Sequence, residues 1–119
     1  QGESNRARHE QYARLFPAMI ADWRRAFHRE LPFYFVQIAP FAYERDAGET
    51  ALLREAQAAA LALPHTGMVV TLDVGEADDI HPRDKQSVGK RLALHALRDH
   101  YGEKVVCDGQ GGTKPVSHT

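Results

Sequence analysis

The chain has 119 residues, a hydrophobic fraction of 43% and a formal net charge of −1. This length corresponds to one domain or part of one, and the hydrophobic fraction is sufficient for a buried core. The small net charge provides no global field that would attract nucleic acid or an anionic membrane. No apolar run approaches the ~20 residues of a membrane span. The single cysteine, Cys107, excludes an internal disulfide and a cysteine zinc site.

The first segment is predicted to be a polar turn followed by a helix. Residues 1–5 (Gln-Gly-Glu-Ser-Asn) suit a turn, and Ser4 or Asn5 would cap the helix that follows. Pro17 predicts a short segment before it and a firm helix from there to about Arg29. The apolar residues recur at three- and four-residue steps, which is typical of one buried helix face: Tyr12, Leu15, Phe16, Met19, Ile20, Trp23 and Phe27.

The next segment is predicted to be a strand, a loop and a second helix. Residues 33–39 are β-branched and aromatic with almost no alternation, which suits a strand that is covered on both faces. Pro40 stops the strand. Residues 41–50 then form a loop at the carboxyl edge of the sheet, and Thr50 is the predicted cap of a helix over residues 51–63.

The last segment repeats this pattern. Residues 64–67 are a stop signal, residues 67–74 are the second predicted strand, and an acidic loop follows. A third amphipathic helix is expected from about Arg83 to His100. Its inward-facing candidates are Val88, Leu92, Leu94, His95 and Leu97.

Alternation of helices and strands predicts parallel strands with helices on both faces of an α/β sheet. Two strands cannot make a stable doubly wound sheet, so we expect the missing strands to lie before Gln1. The chain also begins without a methionine and reads as part of something longer. We expect residues 1–102 to be the carboxyl-terminal part of one domain and residues 103–119 to be a short extension or tail.

The acidic loop after the second strand is the strongest site candidate. Ligands and catalytic groups collect beyond the carboxyl ends of parallel strands. Asp78 lies three residues before His81, and a carboxylate at such a spacing can orient an imidazole and stabilise its charged form. That pair is half of a Ser-His-Asp hydrolase site. The alternative is a helix start, with Asp78 or Asp79 as the N-cap and His81 merely exposed.

The sequence allows two further interpretations. Asp78, Asp79, His81 and Asp84 could form a metal- or ligand-binding module for Mg²⁺, Mn²⁺ or Ca²⁺, but they have no regular ligand spacing. A non-catalytic interaction domain finds no support in the featureless charge distribution. The serines, Ser4, Ser87 and Ser117, lack the context of a nucleophile.

Five separated motifs stand out along the chain. They are Gln-Gly-Glu-Ser-Asn at 1–5, Phe-Tyr-Phe-Val-Gln-Ile-Ala-Pro at 33–40, Leu-Arg-Glu-Ala-Gln at 53–57, Thr-Gly-Met-Val-Val-Thr at 66–71 and Asp-Ile-His-Pro-Arg-Asp-Lys-Gln-Ser-Val-Gly at 79–89. Together, and in this order, they resemble the carboxyl-terminal half of a sialate O-acetylesterase, an SGNH-type hydrolase related to acetylxylan esterases. The resemblance extends to about Gly102.

The resemblance implies a three-layer αβα sandwich with a flavodoxin-like parallel sheet, and removal of O-acetyl groups from sugars such as sialic acid. His81 is the implied catalytic histidine. Its acidic partner is either Asp78, at the superfamily spacing, or Asp79, in the Asp-Ile-His-Pro spelling; we prefer Asp78. Some relatives work with a Ser-His pair alone.

The same resemblance implies that Gln1 donates to the oxyanion and that Glu3 is a substrate-binding residue that orients this turn. The nucleophilic serine would lie outside these 119 residues, in a missing amino-terminal half. No cofactor or metal is implied. The expected partners are an O-acetylated sugar and that missing half, without nucleic acid or membrane. The resemblance favours a periplasmic or secreted location over a cytoplasmic one.

Overall fold

A computed structural model describes residues 2–107. A 3₁₀ segment over Glu3–Arg8 precedes the first helix, and a 3₁₀ turn over Ala60–Ala62 follows the second. The helices and strands are, in chain order, α1 (His9–Ala26), β1 (Phe33–Val36), α2 (Glu49–Ala59), β2 (Thr66–Val69) and α3 (Lys85–Asp99).

The two strands pair in parallel, as the alternation of elements predicts. Phe33 pairs with Thr66 at one end of the register, and Val36 pairs with Val69 at the other. A hydrogen bond from the Gln37 N–H to the Val69 carbonyl, 2.9 Å long, continues the pairing beyond β1. Both carboxyl ends therefore lie at one edge of the sheet.

Helices contact both faces of this sheet. Phe33 and Phe35 pack against Phe16 of α1, with ring centroids 6.1 and 4.9 Å apart. Tyr34 lies between them in sequence and points to the other face, where it stacks on His95 of α3 at 6.1 Å. The described chain is thus a helix-rich α/β unit with a small parallel sheet.

The core lies between α1, α2 and the sheet and is built on four buried residues, Phe16, Ile20, Phe35 and Ala60. The prediction that the whole aromatic stripe is core is only partly right. Leu15, Trp23 and Phe27 are 55%, 50% and 64% exposed, because α1 turns only one side toward α2 and the sheet. No helix within residues 2–107 is both long and apolar enough to cross a membrane.

Two predictions about the first helix are wrong. Pro17 lies inside α1 and does not divide it; proline removes one backbone donor, and burial of Phe16 and Ile20 on either side holds the helix together. Gly2 is the N-cap of the 3₁₀ segment, which has no side-chain cap from Ser4 or Asn5.

The other helix boundaries also differ from expectation. The first helix ends at Ala26, before Arg29, and His28 adopts a left-handed φ of 51°. Thr50 does not cap α2; its N–H donates to Asp46 Oδ1 at 3.1 Å. Asp84, not Asp78 or Asp79, caps α3, because its carboxylate accepts the Ser87 N–H at 3.0 Å and the Ser87 hydroxyl at 2.7 Å.

Leu97, predicted to face inward on α3, is 38% exposed, whereas His95 is 3% exposed and does face inward. Its Nε2 hydrogen bonds with the Met68 carbonyl at 3.1 Å, and its Nδ1 lies 3.5 Å from Asp99. A Cβ on Gly67 would come within 2.8 Å of this ring, so the strand approaches the helix closely here. The division of the chain at residue 102 stays a prediction.

Candidate functional site

His81 lies in the loop that joins β2 to α3, beyond the carboxyl end of the sheet. Its side chain is exposed, whereas the next residue, Pro82, is buried. The Asp79 carboxylate accepts the His81 backbone N–H at 2.8 Å. Buried Pro82 and the bond from Asp79 therefore hold the backbone of His81 in place at the edge of the sheet.

Glu76 and Arg83 close this loop at its base. Glu76 Oε2 accepts the Arg83 backbone N–H at 3.0 Å, and Oε1 accepts the Arg83 Nε at 3.0 Å. Hydrogen bonds from Arg83 hold the pKa of Glu76 below its ordinary range. The two residues are seven positions apart, so their contact closes the loop that contains His81. Sequence analysis missed this pair, although opposite charges bracketing the loop could have indicated it.

The two candidate acids have different surroundings. Asp79 is committed to the His81 backbone, and Asp78 is exposed. Within residues 2–107, no hydrogen bond joins either carboxylate to the His81 ring. Asp79 therefore shapes the loop, and Asp78 keeps its carboxylate open to a further contact. The assignment of the acidic partner stays a prediction.

The loop after β1 is hydrogen-bonded to the loop that contains His81. The Ala42 N–H donates to the Ala77 carbonyl at 2.9 Å. A Cβ on Gly75 would overlap the Pro40 ring and approach the Pro40 carbonyl oxygen at 3.0 Å. The two loops therefore touch through backbone, which leaves little freedom for one to move without the other.

The segment that carries Glu3 reaches the same edge. The Arg6 guanidinium lies over the ring of Tyr43, 3.4 Å from its centroid, and its Nη1 donates a long, 3.4 Å hydrogen bond to Thr50. Burial raises the pKa of Tyr43; Arg6 opposes this, and the carboxylate of Glu3 adds to it. Glu3 and His81 therefore share one edge of the sheet. Gln1, the candidate oxyanion donor, lies outside the described residues.

Tyr12 packs closely against the turn at Gly2. The φ of Gly2, 97°, is left-handed, and an added Cβ would lie 2.5 Å from Tyr12 Cε2. Tyr12 in turn hydrogen bonds with Gln57, which is fully buried and accepts the Ile38 N–H at 3.0 Å. Gln57 thus links the turn to the end of β1. Sequence analysis did not find this role, because a glutamine in a helix carries no signal of burial.

Asp73 and Arg91 connect α3 to the residues that follow β2. Arg91 donates to the Val70 carbonyl at 2.6 Å and forms a two-pronged ion pair with Asp73, which lowers the pKa of Asp73. The helix α3 is thereby tied to the chain as it leaves β2. In the part of the chain that the structure describes, no group of three His, Cys, Asp or Glu side chains is placed to hold a metal ion. The metal-binding alternative gains no support from Asp84, which is engaged as a cap.

Comparison with known proteins gives consistent relatives. The chain is 38% identical over 125 aligned positions to the sialate O-acetylesterase of Rattus norvegicus, and 36% identical over 124 positions to that of Homo sapiens. Each alignment covers 87% of this chain, but 23% and 24% of the respective relative. No protein-family model matches the chain.

A solved structure agrees. The crystal structure of a carbohydrate acetylesterase from Xanthomonas citri superposes with a TM-score of 0.78 and 46% sequence identity, over 82% of this chain and 23% of that one. In fold and in sequence, the chain is therefore similar to a stretch of carbohydrate acetylesterases. More particularly, its similarity to sialate O-acetylesterases is confirmed, over a stretch that spans about a quarter of the length of those relatives.

Proposed function

We propose that the chain supplies part of the active site of a carbohydrate acetylesterase of the sialate O-acetylesterase kind. The observation that carries the proposal is the series of contacts along one edge of the sheet. Arg6 of the Gln-Gly-Glu segment stacks on Tyr43 of the loop after β1, and that loop is bonded through Ala42 to Ala77 in the His81 loop. These contacts join the stretches next to three of the motifs, those at 1–5, 33–40 and 79–89, beyond the carboxyl ends of parallel strands, which is where such sheets place their chemistry.

In this proposal the nucleophile is a serine that lies outside these 119 residues. His81 accepts the serine proton as the hydroxyl oxygen attacks the acetyl carbonyl, and a tetrahedral oxyanion forms. His81 then gives the proton to the departing sugar oxygen. Water releases acetate from the acetyl-serine in a second cycle of the same kind. The net reaction is hydrolysis of the O-acetyl ester of a sugar, such as an O-acetylated sialic acid.

Asp78 is the proposed partner of the His81 ring. It has the spacing of the superfamily acid, and the structure leaves its carboxylate exposed beside the loop that Asp79 holds in shape. Gln1 is the proposed oxyanion donor, and loss of one such donor typically lowers turnover about 10²–10³-fold. Glu3 is the proposed substrate-side residue that orients the turn.

Three further proposals follow from the same resemblance. The complete domain is a three-layer αβα sandwich with a flavodoxin-like sheet, and helices on both faces of the β1–β2 pair support this. The protein acts in the periplasm or outside the cell. Its partner for catalysis is the remainder of the domain.

The test is an assay of the full-length protein with p-nitrophenyl acetate and with an O-acetylated sialoside. His81→Ala should abolish turnover and leave the melting temperature close to that of the wild type, because the side chain is exposed. His100→Ala is the matched control, since His100 is an exposed histidine at the far end of α3. Equal activity of the two variants would refute the proposal.

A further inference from the structure

Arg6 and Tyr43 form a direct side-chain contact between the 3₁₀ segment Glu3–Arg8 and the loop after β1. The guanidinium carbon lies 3.4 Å from the centre of the ring. Phe41 supports the ring from its edge, with centroids 4.8 Å apart and planes inclined by 76°. Stacking on a ring that is itself packed against Phe41 fixes the orientation of the Arg6 guanidinium, whereas a fully solvated guanidinium would be free to reorient.

Tyr43 makes its contact with Arg6 through the ring and not through the hydroxyl. The hydroxyl oxygen is buried and has no hydrogen-bond partner among residues 2–107. Phenylalanine could therefore replace tyrosine here without loss of a hydrogen bond to this part of the chain. The aromatic face is what contacts Arg6.

Arg6 and Tyr43 lie next to the two segments that carry the proposed site residues. Arg6 lies three residues after Glu3 on the same 3₁₀ segment, whose turn is closed by the Asn5 N–H donating to the Gly2 carbonyl at 2.8 Å. Tyr43 follows Ala42, the residue that is bonded to Ala77 in the His81 loop. A movement of Arg6 relative to Tyr43 would therefore change the separation between the Gln-Gly-Glu turn and the His81 loop.

We infer that Arg6 and Tyr43 are positioning residues for the esterase reaction: their stacked contact sets the turn at Gly2 against the His81 loop. This inference rests on the proposed function. The pair touches no reacting atom; it acts through this turn, which Gln1, the proposed oxyanion donor, precedes in the sequence. Misplacement of a catalytic group by about 1 Å can cost ~10² in rate.

The experiment uses the full-length protein and the O-acetylated sialoside. Arg6→Met and Tyr43→Leu should each lower kcat about 10- to 100-fold and change KM less than about threefold, because substrate binding does not depend on the donor alone. Tyr43→Phe keeps the stacked face and should recover most of the loss. Arg8→Met is the matched control, since it removes an exposed arginine from the same segment.

The decisive measurement is the coupling with Gln1. In a Gln1→Ala background, adding Arg6→Met should lower kcat less than about twofold, because a misplaced donor and an absent donor have the same effect. An additional loss as large as in the wild-type background would overturn the inference, and so would an unchanged kcat in Gln1→Ala itself. If Arg6→Met fails to fold, Arg6→Lys, which keeps the charge without the planar face, replaces it under the same criterion. Failure of the proposed function is seen separately, as activity that survives His81→Ala.

Discussion

The backbone N–H of Ala42 donates a hydrogen bond to the carbonyl of Ala77 over 2.9 Å, and this bond joins the loops that follow the two parallel strands. Beside it, Gly75 lies against the Pro40 ring so closely that a side chain there would overlap it. The two loops are thus in contact at two successive points. Gly75 is required here because a side chain would not fit, and not because its backbone is left-handed. A substitution at Gly75 therefore tests the contact between the loops directly.

Gly75→Ala should push the two loops apart. Overpacking of this kind costs typically 1–3 kcal/mol, and we expect a lower melting temperature and a reduced kcat in the full-length protein. Gly89→Ala is the control: Gly89 lies in α3 with no atom within 4 Å of an added Cβ. It should stabilise the protein by about 0.5–1 kcal/mol through helix propensity. Thermal unfolding of both variants checks this, and equal stability losses would contradict the close approach at Pro40.

The two acids of the His81 loop should respond differently to an amide. Asp79→Asn keeps a side-chain oxygen that can accept the His81 N–H, so the loop and most of the activity should survive. Asp78→Asn should lower kcat far more, because an amide does not stabilise the imidazolium. The measurement is kcat for both variants in the full-length protein. The reverse order would make Asp79 the partner, and negligible losses in both would favour a Ser-His pair.

Glu76 should make the acid stability of the protein depend on the closure of the His81 loop. Folding lowers its pKa from the ordinary value of 4.5, because Arg83 hydrogen bonds to the charged carboxylate. The charged form therefore stabilises the folded state. That contribution is complete above pH 4.5 and is lost as the pH falls through the lowered pKa of the folded protein.

Glu76→Gln should accordingly lower the melting temperature at neutral pH, and the difference from the wild type should shrink as the pH drops below 4.5. Glu55→Gln is the matched control, since Glu55 is an exposed glutamate on α2. The melting temperatures of the three proteins are compared across this range. A difference that stays constant with pH would show that the carboxylate charge is not what closes the loop.

The 119-residue chain by itself should not hydrolyse acetyl esters at a rate that depends on His81. A general base contributes ~10²–10⁴ only with a nucleophile within hydrogen-bond reach, and the Ser87 hydroxyl is engaged with Asp84 at 2.7 Å. The chain should also self-associate through the exposed apolar face of α1, at Leu15, Trp23 and Phe27.

An ester assay and light scattering on the chain alone test this, with His81→Ala beside it. Activity that disappears in His81→Ala would reveal a nucleophile within the chain, with Ser4 the first suspect. Activity that persists in both proteins is background hydrolysis. A monodisperse monomer would contradict the expectation drawn from the exposed face of α1.

The sequence predicted those features that depend on local pattern. Alternation of helices and strands predicted the parallel pairing, and the acidic stretch after the second strand predicted a loop that carries His81. Features that depend on the tertiary structure were not predictable. Whether Pro17 breaks α1 depends on the burial of its neighbours, and the cap of α3 depends on where the His81 loop ends. The partners of Gln57 and Glu76 lie in elements whose separation only the fold determines.

Gln57 has a consequence for how such a site can change over evolution or by design. Its amide is fully buried, accepts the Ile38 N–H at 3.0 Å and reaches Tyr12 under the Gly2 turn. An apolar replacement would leave a buried donor unpaired at a cost of about 1–3 kcal/mol. Variation at this interior position is therefore restricted by the geometry of the surface turn above it. A designer who repacks the interior for stability would alter the turn without touching any residue that contacts substrate.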